Sequence, residues 1–216
     1  MSETRVYLEQ GAKRTFASAL DWPGWARSGR DEAQALENLA AYADRYERVA
    51  KRARLAMPET AFEVVDRVRG SAGTDFGVPS EILELDRTPL SGSELKRLRV
   101  LLRAAWAEFD ATVHTAPAEL RKGPRGGGRD RDAIVDHVVG AEATVYLRKL
   151  GARLAQPSRD DSVALEAERM LVLDRLGEPP GDKGWPVRYA VRRIAWHVLD
   201  HAWEIEDRGS RGETSG

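Results

Sequence analysis

Near its C-terminal end the chain reads RRIAWHVLDHAWEIEDR, with His197 and His201 four residues apart inside an amphipathic helical pattern. Side chains four apart stack on one helical face, so two imidazoles so spaced can reach one ion. With Ile194 as zero and about 100° per residue, Ile205 falls near 20°, Val198 near 40°, His201 near −20° and His197 near −60°. Both histidines therefore lie on the apolar arc. His137, in DRDAIVDHVVGAEATVYLRKLG, sits between Ile134 and Ala141 on a stripe of Ile134, Val138, Ala141 and Val145. Three of the four histidines thus occupy inward positions on two helices. Three neutral imidazoles suit zinc, nickel, iron or a similar divalent ion, with a position left open for water or a substrate anion.

The competing reading gives each of the three a satisfied hydrogen bond in an ordinary core. Val198 follows His197 where a zinc peptidase of the HExxH kind has glutamate, which argues against that class. His114, at the fraying end of a helix before Pro117, reads as a solvated or capping residue. Asp136, Glu142, Asp200 and Glu204 are near enough in sequence either to orient the imidazoles or to form a solvated face.

Composition sets the other limits. The chain has 216 residues, 42% apolar and 32% charged, enough to bury a core in one large domain or two small ones. Its 34 basic and 35 acidic residues leave a net charge of −1, which argues against a nucleic-acid partner. No apolar run approaches a membrane span, and MSETRVYLEQ lacks the apolar centre of a signal peptide, so a cytoplasmic home is expected. Cysteine is absent, which removes disulfides, thiolate ligands and a protein-borne thiol nucleophile. Any metal is then held by nitrogen and oxygen, and thiol chemistry needs a thiol from outside.

The pattern along the chain predicts an α+β protein. RVYLEQ and RTFASALDW alternate like strands, Pro23 and Gly24 make a turn into a short extended piece, and TAFEVVDRVRG reads as one more strand. Between them, Leu36, Leu39, Ala40, Ala43, Tyr46 and Ala50 recur at helical spacing from Asp31 until Pro58 ends the run. GSAGTDFGVPS looks like a linker. Four helices follow: Ser93 to about Val113, capped by Ser91 or Ser93; about Arg131 to Leu150; roughly Asp161 to Leu176; and from near Trp185 and Pro186 to just before Gly209. The expected division is a module at 1–72, a linker at 73–90, a four-helix bundle at 91–208 and a disordered tail at 209–216.

A bundle with one histidine in its second helix (DHVVGAEATVYLRKLG) and HxxxH in its last (WHVLDHAWEIED) resembles the DinB/YfiT-like superfamily over about residues 91–208. The resemblance implies a divalent-metal site made by His137, His197 and His201. It also implies a thiol-dependent transferase or isomerase using an exogenous low-molecular-weight thiol. Such bundles often pair, so a homodimer is an expectation without an interface. About residues 4–70 are similar to a HicB-like domain, with Pro23, Gly24, Glu32, Ala33, Ala35, Leu36 and Asn38 of FASALDWPGWARSGRDEAQALENL carrying the match. That family often serves as an antitoxin covering a small ribonuclease. The alternative function is accordingly a non-enzymatic binding or regulatory protein, in which this module recognises a protein partner.

Two further features have two readings each. The loop RKGPRGGGRDRD gathers Arg121, Lys122, Arg125, Arg129 and Arg131, which either bind an anionic substrate or form an ordinary solvated connection. Packing is the default role of Trp106, Trp196 and Trp203. Trp22 and Trp25 bracket a turn, which suits either a contact surface or burial.

Overall fold

A computed structural model of the chain describes residues 3–57, 60–123 and 127–210. Strands β1 (Thr4–Gln10), β2 (Thr15–Ala19), β3 (Ala26–Gly29) and β4 (Phe62–Arg69) form one sheet in the order β3-β2-β1-β4. The first three run as an antiparallel meander, and β4 pairs parallel to β1 with an irregularity between Val6 and Tyr7. The remainder is helical: α1 (Glu32–Ala41), α2 (Ala43–Arg52), α3 (Ala72–Phe76), α4 (Gly92–Thr115), α5 (Arg131–Ala141), α6 (Leu147–Lys149), α7 (Ser162–Arg175) and α8 (Val187–Gly209). The α+β class is therefore as expected. No described helix is long and apolar enough to cross a membrane.

Contacts separate the chain into two compact units, Met1–Ala105 with Pro186–Trp196, and Trp106–Trp185 with His197–Gly216. The division read from the sequence is different: here residues 73–90, the first part of α4 and the first part of α8 group with the sheet-bearing unit. Ser71 and Thr74 cap α3 reciprocally, and Gly77 closes it in the left-handed conformation at φ 113°. Glu9, fully buried on β1, accepts hydrogen bonds from Thr74 Oγ1 at 2.5 Å, Ser80 N at 3.0 Å and Glu81 N at 3.2 Å. One carboxylate thus fastens the supposed linker to the sheet. The last six residues of the expected tail, and Pro58, lie outside the described residues.

Within this first unit the long helix expected from Asp31 is two helices, meeting at Tyr42. Asp31 caps the first by accepting from Gln34 N at 2.8 Å. The second ends before Arg54, which takes the left-handed conformation at φ 56°. Trp22 and Trp25 are buried, at 7% and 0% exposure, which decides for burial over a contact surface. Trp25 stacks on Tyr46 with centroids 5.5 Å apart and donates from Nε1 to Leu39 O at 2.9 Å. Tyr46 in turn donates its hydroxyl to Pro23 O at 2.9 Å, so the turn and both helices share one aromatic core.

Arg192 lies buried under Tyr7, its Cζ 5.1 Å from the ring centroid, and donates to both carboxylate oxygens of buried Asp86. Removing one member of such a pair strands a charge in low dielectric. Asp86→Ala is expected to destabilise the protein by about 3–5 kcal/mol, measured by urea unfolding. A loss below ~1 kcal/mol, the range of exposed ion pairs, would show that the pair is solvated.

Candidate metal centre

The second unit, taken alone, carries all three inward histidines. Its α8 segment buries Val198, Leu199, Ala202, Trp203 and Ile205, while His197 is 6% exposed and His201 partly exposed. That is the apolar arc expected from helical spacing, with both imidazoles on it. α5 buries Ile134, Val135, Val138 and Val139, and His137 stands partly exposed beside them.

Beyond Ala141 the backbone departs from an α-helix. Glu142–Tyr146 is a π turn before α6 resumes. A π turn inserts one residue, so the buried stripe slips by one position. Val145, expected inside, is 48% exposed, and Tyr146 is buried in its stead at 4%. Thr144 Oγ1 donates to Gly140 O at 2.6 Å within this stretch. The Tyr146 ring lies 5.5 Å from the His197 ring, edge to face, and 5.5 Å from Trp185.

The three imidazoles converge. Their ring centroids lie 5.1 Å apart for His137 and His197, 5.1 Å for His137 and His201, and 4.8 Å for His197 and His201. One ring nitrogen from each lies within 4.8 Å of the others, and His197 Nε2 stands 3.2 Å from His137 Nε2. Two nitrogens about 2.0–2.1 Å from a tetrahedral ion are separated by about 3.3 Å, so this pair has the spacing of two ligands. The donor set is all nitrogen, as zinc, nickel and iron sites accept. The residues present fit a divalent ion.

Electrostatics act in the same direction at His137. Burial depresses its pKa below the usual imidazole value, and a charge on His201 and the nearby Arg129 add to that effect. Glu204 opposes it. The neutral imidazole is the form that offers a lone pair to a metal.

Of the carboxylates near enough in sequence to orient these rings, Glu204 has its Oε2 2.9 Å from His201 Nδ1. Hydrogen bonding to His201 and Arg208 draws its pKa down against the effect of burial. Asp136 instead receives Arg159 Nη1 at 2.8 Å, and Glu142 receives Trp106 Nε1 at 2.7 Å. His114 is exposed in the last turn of α4, as expected for a solvated or capping residue.

The glycine- and arginine-rich loop turns several of its cations onto its own chain. Lys122 meets Asp130 Oδ1 at 2.6 Å, Arg131 donates to Ala116 O at 2.9 Å and to Asp132 at 2.8 Å, and Arg121 reaches Asp207 O. These contacts favour the reading as a structural connection. Arg125 lies outside the described residues.

Two features were not read from the sequence. One is the Tyr146 contact, hidden by the π turn. The other is a buried acid pair. Glu142 and Glu168 are 3% and 1% exposed, and Glu168 Oε1 has no hydrogen-bond partner among the described residues. Burial, opposed by the Trp106 hydrogen bond, raises Glu142 to about 7. Burial first, then the charge of Glu142, raises Glu168 to about 8. No family model, curated protein or solved structure matches the chain.

The acid pair makes stability depend on pH. Both carboxyls keep their protons in the folded chain where the unfolded chain has lost them, from about pH 4.3 upward. Folding then retains protons, and stability falls as pH rises through 7 to 8. Urea unfolding at pH 5 and pH 8.5 is expected to show a smaller loss of stability for Glu168→Gln than for the wild type, by on the order of 1–3 kcal/mol. Identical losses in the two proteins would show that Glu168 ionises freely in the fold.

Proposed function

We propose that this is a DinB-like divalent-metal protein in which His137, His197 and His201 hold one ion, and that it acts as a thiol-dependent transferase or isomerase. The observation that carries the reading is the convergence of three imidazole nitrogens from α5 and α8 within 4.8 Å, on partly buried faces. Ordinary packing has no need to aim three lone-pair donors at one point.

The chain's own residues divide the work. Tyr146 packs edge to face against His197, and burial favours the neutral form of the His137 imidazole. A divalent ion held by these nitrogens supplies Lewis acidity, which favours the deprotonated form of a coordinating oxygen or sulfur donor at neutral pH. Because the chain has no cysteine, the nucleophilic sulfur of a thiol reaction has to arrive with a small molecule. A small thiol and an electrophilic partner are therefore the proposed substrates.

Metal-free protein titrated with zinc, nickel and iron(II) is expected to take up one ion per chain, and to unfold at higher temperature when loaded. His197→Ala combined with His201→Ala is expected to remove that uptake and the accompanying thermal shift. Equal uptake by the variant and the wild type would sink the ligand assignment. Transfer of a small thiol to an electrophile by the loaded wild type, and none by the metal-free protein, is the expected result for activity.

A further inference from the structure

On α8, Glu204 follows His201 by three residues and Arg208 follows Glu204 by four, so the three side chains stack along one helical face. Both oxygens of the carboxylate are engaged. Oε2 lies 2.9 Å from His201 Nδ1, and Oε1 accepts from Arg208 Nη1 at 2.6 Å. The same guanidinium donates from Nε to Arg121 O at 2.9 Å and from Nη2 to Arg129 O at 2.7 Å. Those two carbonyls belong to the segment that runs into α5, the helix that carries His137. Between them Gly128 has φ +118°, and a Cβ there would lie 2.7 Å from Arg208 Nη2, so glycine is what lets the guanidinium approach.

We infer that Glu204 is a positioning residue for the three-histidine centre, holding His201 as the Nδ1–H tautomer so that Nε2 presents its lone pair to the ion. A carboxylate accepts hydrogen bonds and donates none, so the proton of the His201–Glu204 bond resides on Nδ1. A neutral imidazole with its proton on Nδ1 has its lone pair on Nε2. Arg208 fixes the carboxylate in turn, and its two carbonyl contacts tie the backbone ahead of α5 to α8. The ligand helices are thereby held in register by a chain of charge-assisted hydrogen bonds rather than by packing alone.

The consequence for metal affinity rests on the proposed metal reading, whereas the tautomer is a property of the metal-free protein. The two are separable. Long-range proton–nitrogen NMR correlations of metal-free protein labelled with 15N-histidine, assigned with His201→Ala, are expected to show His201 as Nδ1–H. Glu204→Gln, whose amide oxygen still accepts, is expected to keep that tautomer. Glu204→Ala is expected to shift it toward Nε2–H and to weaken zinc binding by about 10–100-fold in a chelator competition. If the alanine variant does not fold, Glu204→Met, of similar length and without an acceptor oxygen, is expected to give the same two changes. An unchanged tautomer with unchanged zinc affinity in the alanine or methionine variant overturns the inference. A wild-type protein that takes up no zinc overturns the metal reading instead, and the His201 tautomer then still decides whether Glu204 orients it.

Discussion

A polar group taken out of water has to be given a partner inside the protein, because an amide, carboxyl or imidazole left alone there costs several times what a hydrogen bond returns. Much of what distinguishes this chain follows from how it meets that demand. In the sheet-bearing unit, Glu9 meets it with a hydroxyl and two backbone N–H groups, and Arg192 meets it with Asp86. Each of these solutions joins segments far apart in sequence, so the polar contacts set the position of elements whose apolar faces alone would tolerate sliding. In the helical unit, Glu142 leans on the Trp106 indole, and Glu168 is left with its proton as the cheapest way to remain buried. The imidazoles meet the demand by facing one another.

The π turn shows how local backbone and site geometry are linked. An uninterrupted α-helix from Arg131 would have carried the stripe of Ile134, Val138 and Ala141 on to Val145. With the π turn at Glu142–Tyr146, Val145 is exposed and Tyr146 is buried. Glu142, the first residue of the turn, is buried and accepts from Trp106. An extra residue in a helix loosens its hydrogen-bond ladder, and such turns persist where the altered register places side chains that a regular helix cannot. Here the side chain so placed is an aromatic ring against a proposed ligand.

The parts legible in the sequence were those governed by regular periods. The HxxxH spacing fixed both imidazoles on one arc of α8, and the 3.6-residue stripe before Ala141 put His137 inside, because those inferences need only the pitch of an α-helix. The sheet strands were legible from alternation, and the start of α4 from its two capping candidates, of which Ser91 accepts from Glu94 N. What escaped was set by single contacts between distant residues. Nothing local announces that Thr74 will find Glu9, so a segment rich in glycine, serine and proline read as a linker. Trp25 beside a Pro-Gly turn looked equally suited to a surface until Tyr46 and Leu39 were seen to cover it. The π turn has no compositional mark of its own. Arg208, by contrast, could have been found: its spacing from Glu204 and His201 is as regular as that of the histidines themselves.

The two readings of the histidine trio make different demands on its protons. Three core imidazoles satisfied by hydrogen bonds alone need an acceptor for every N–H and a donor for every lone pair. At the centre of this trio the nitrogens of His137 and His197 face each other at 3.2 Å, where one proton can serve both. His201 has its Nδ1 turned to Glu204, and one of its ring nitrogens lies within 4.8 Å of a ring nitrogen of each of the other two. Charging His137 is disfavoured by its burial and by a charge on His201. A cation accepting all three lone pairs, as proposed above, would need no such shared proton. At His137 burial favours the neutral ring, which would have no proton to displace before binding an ion.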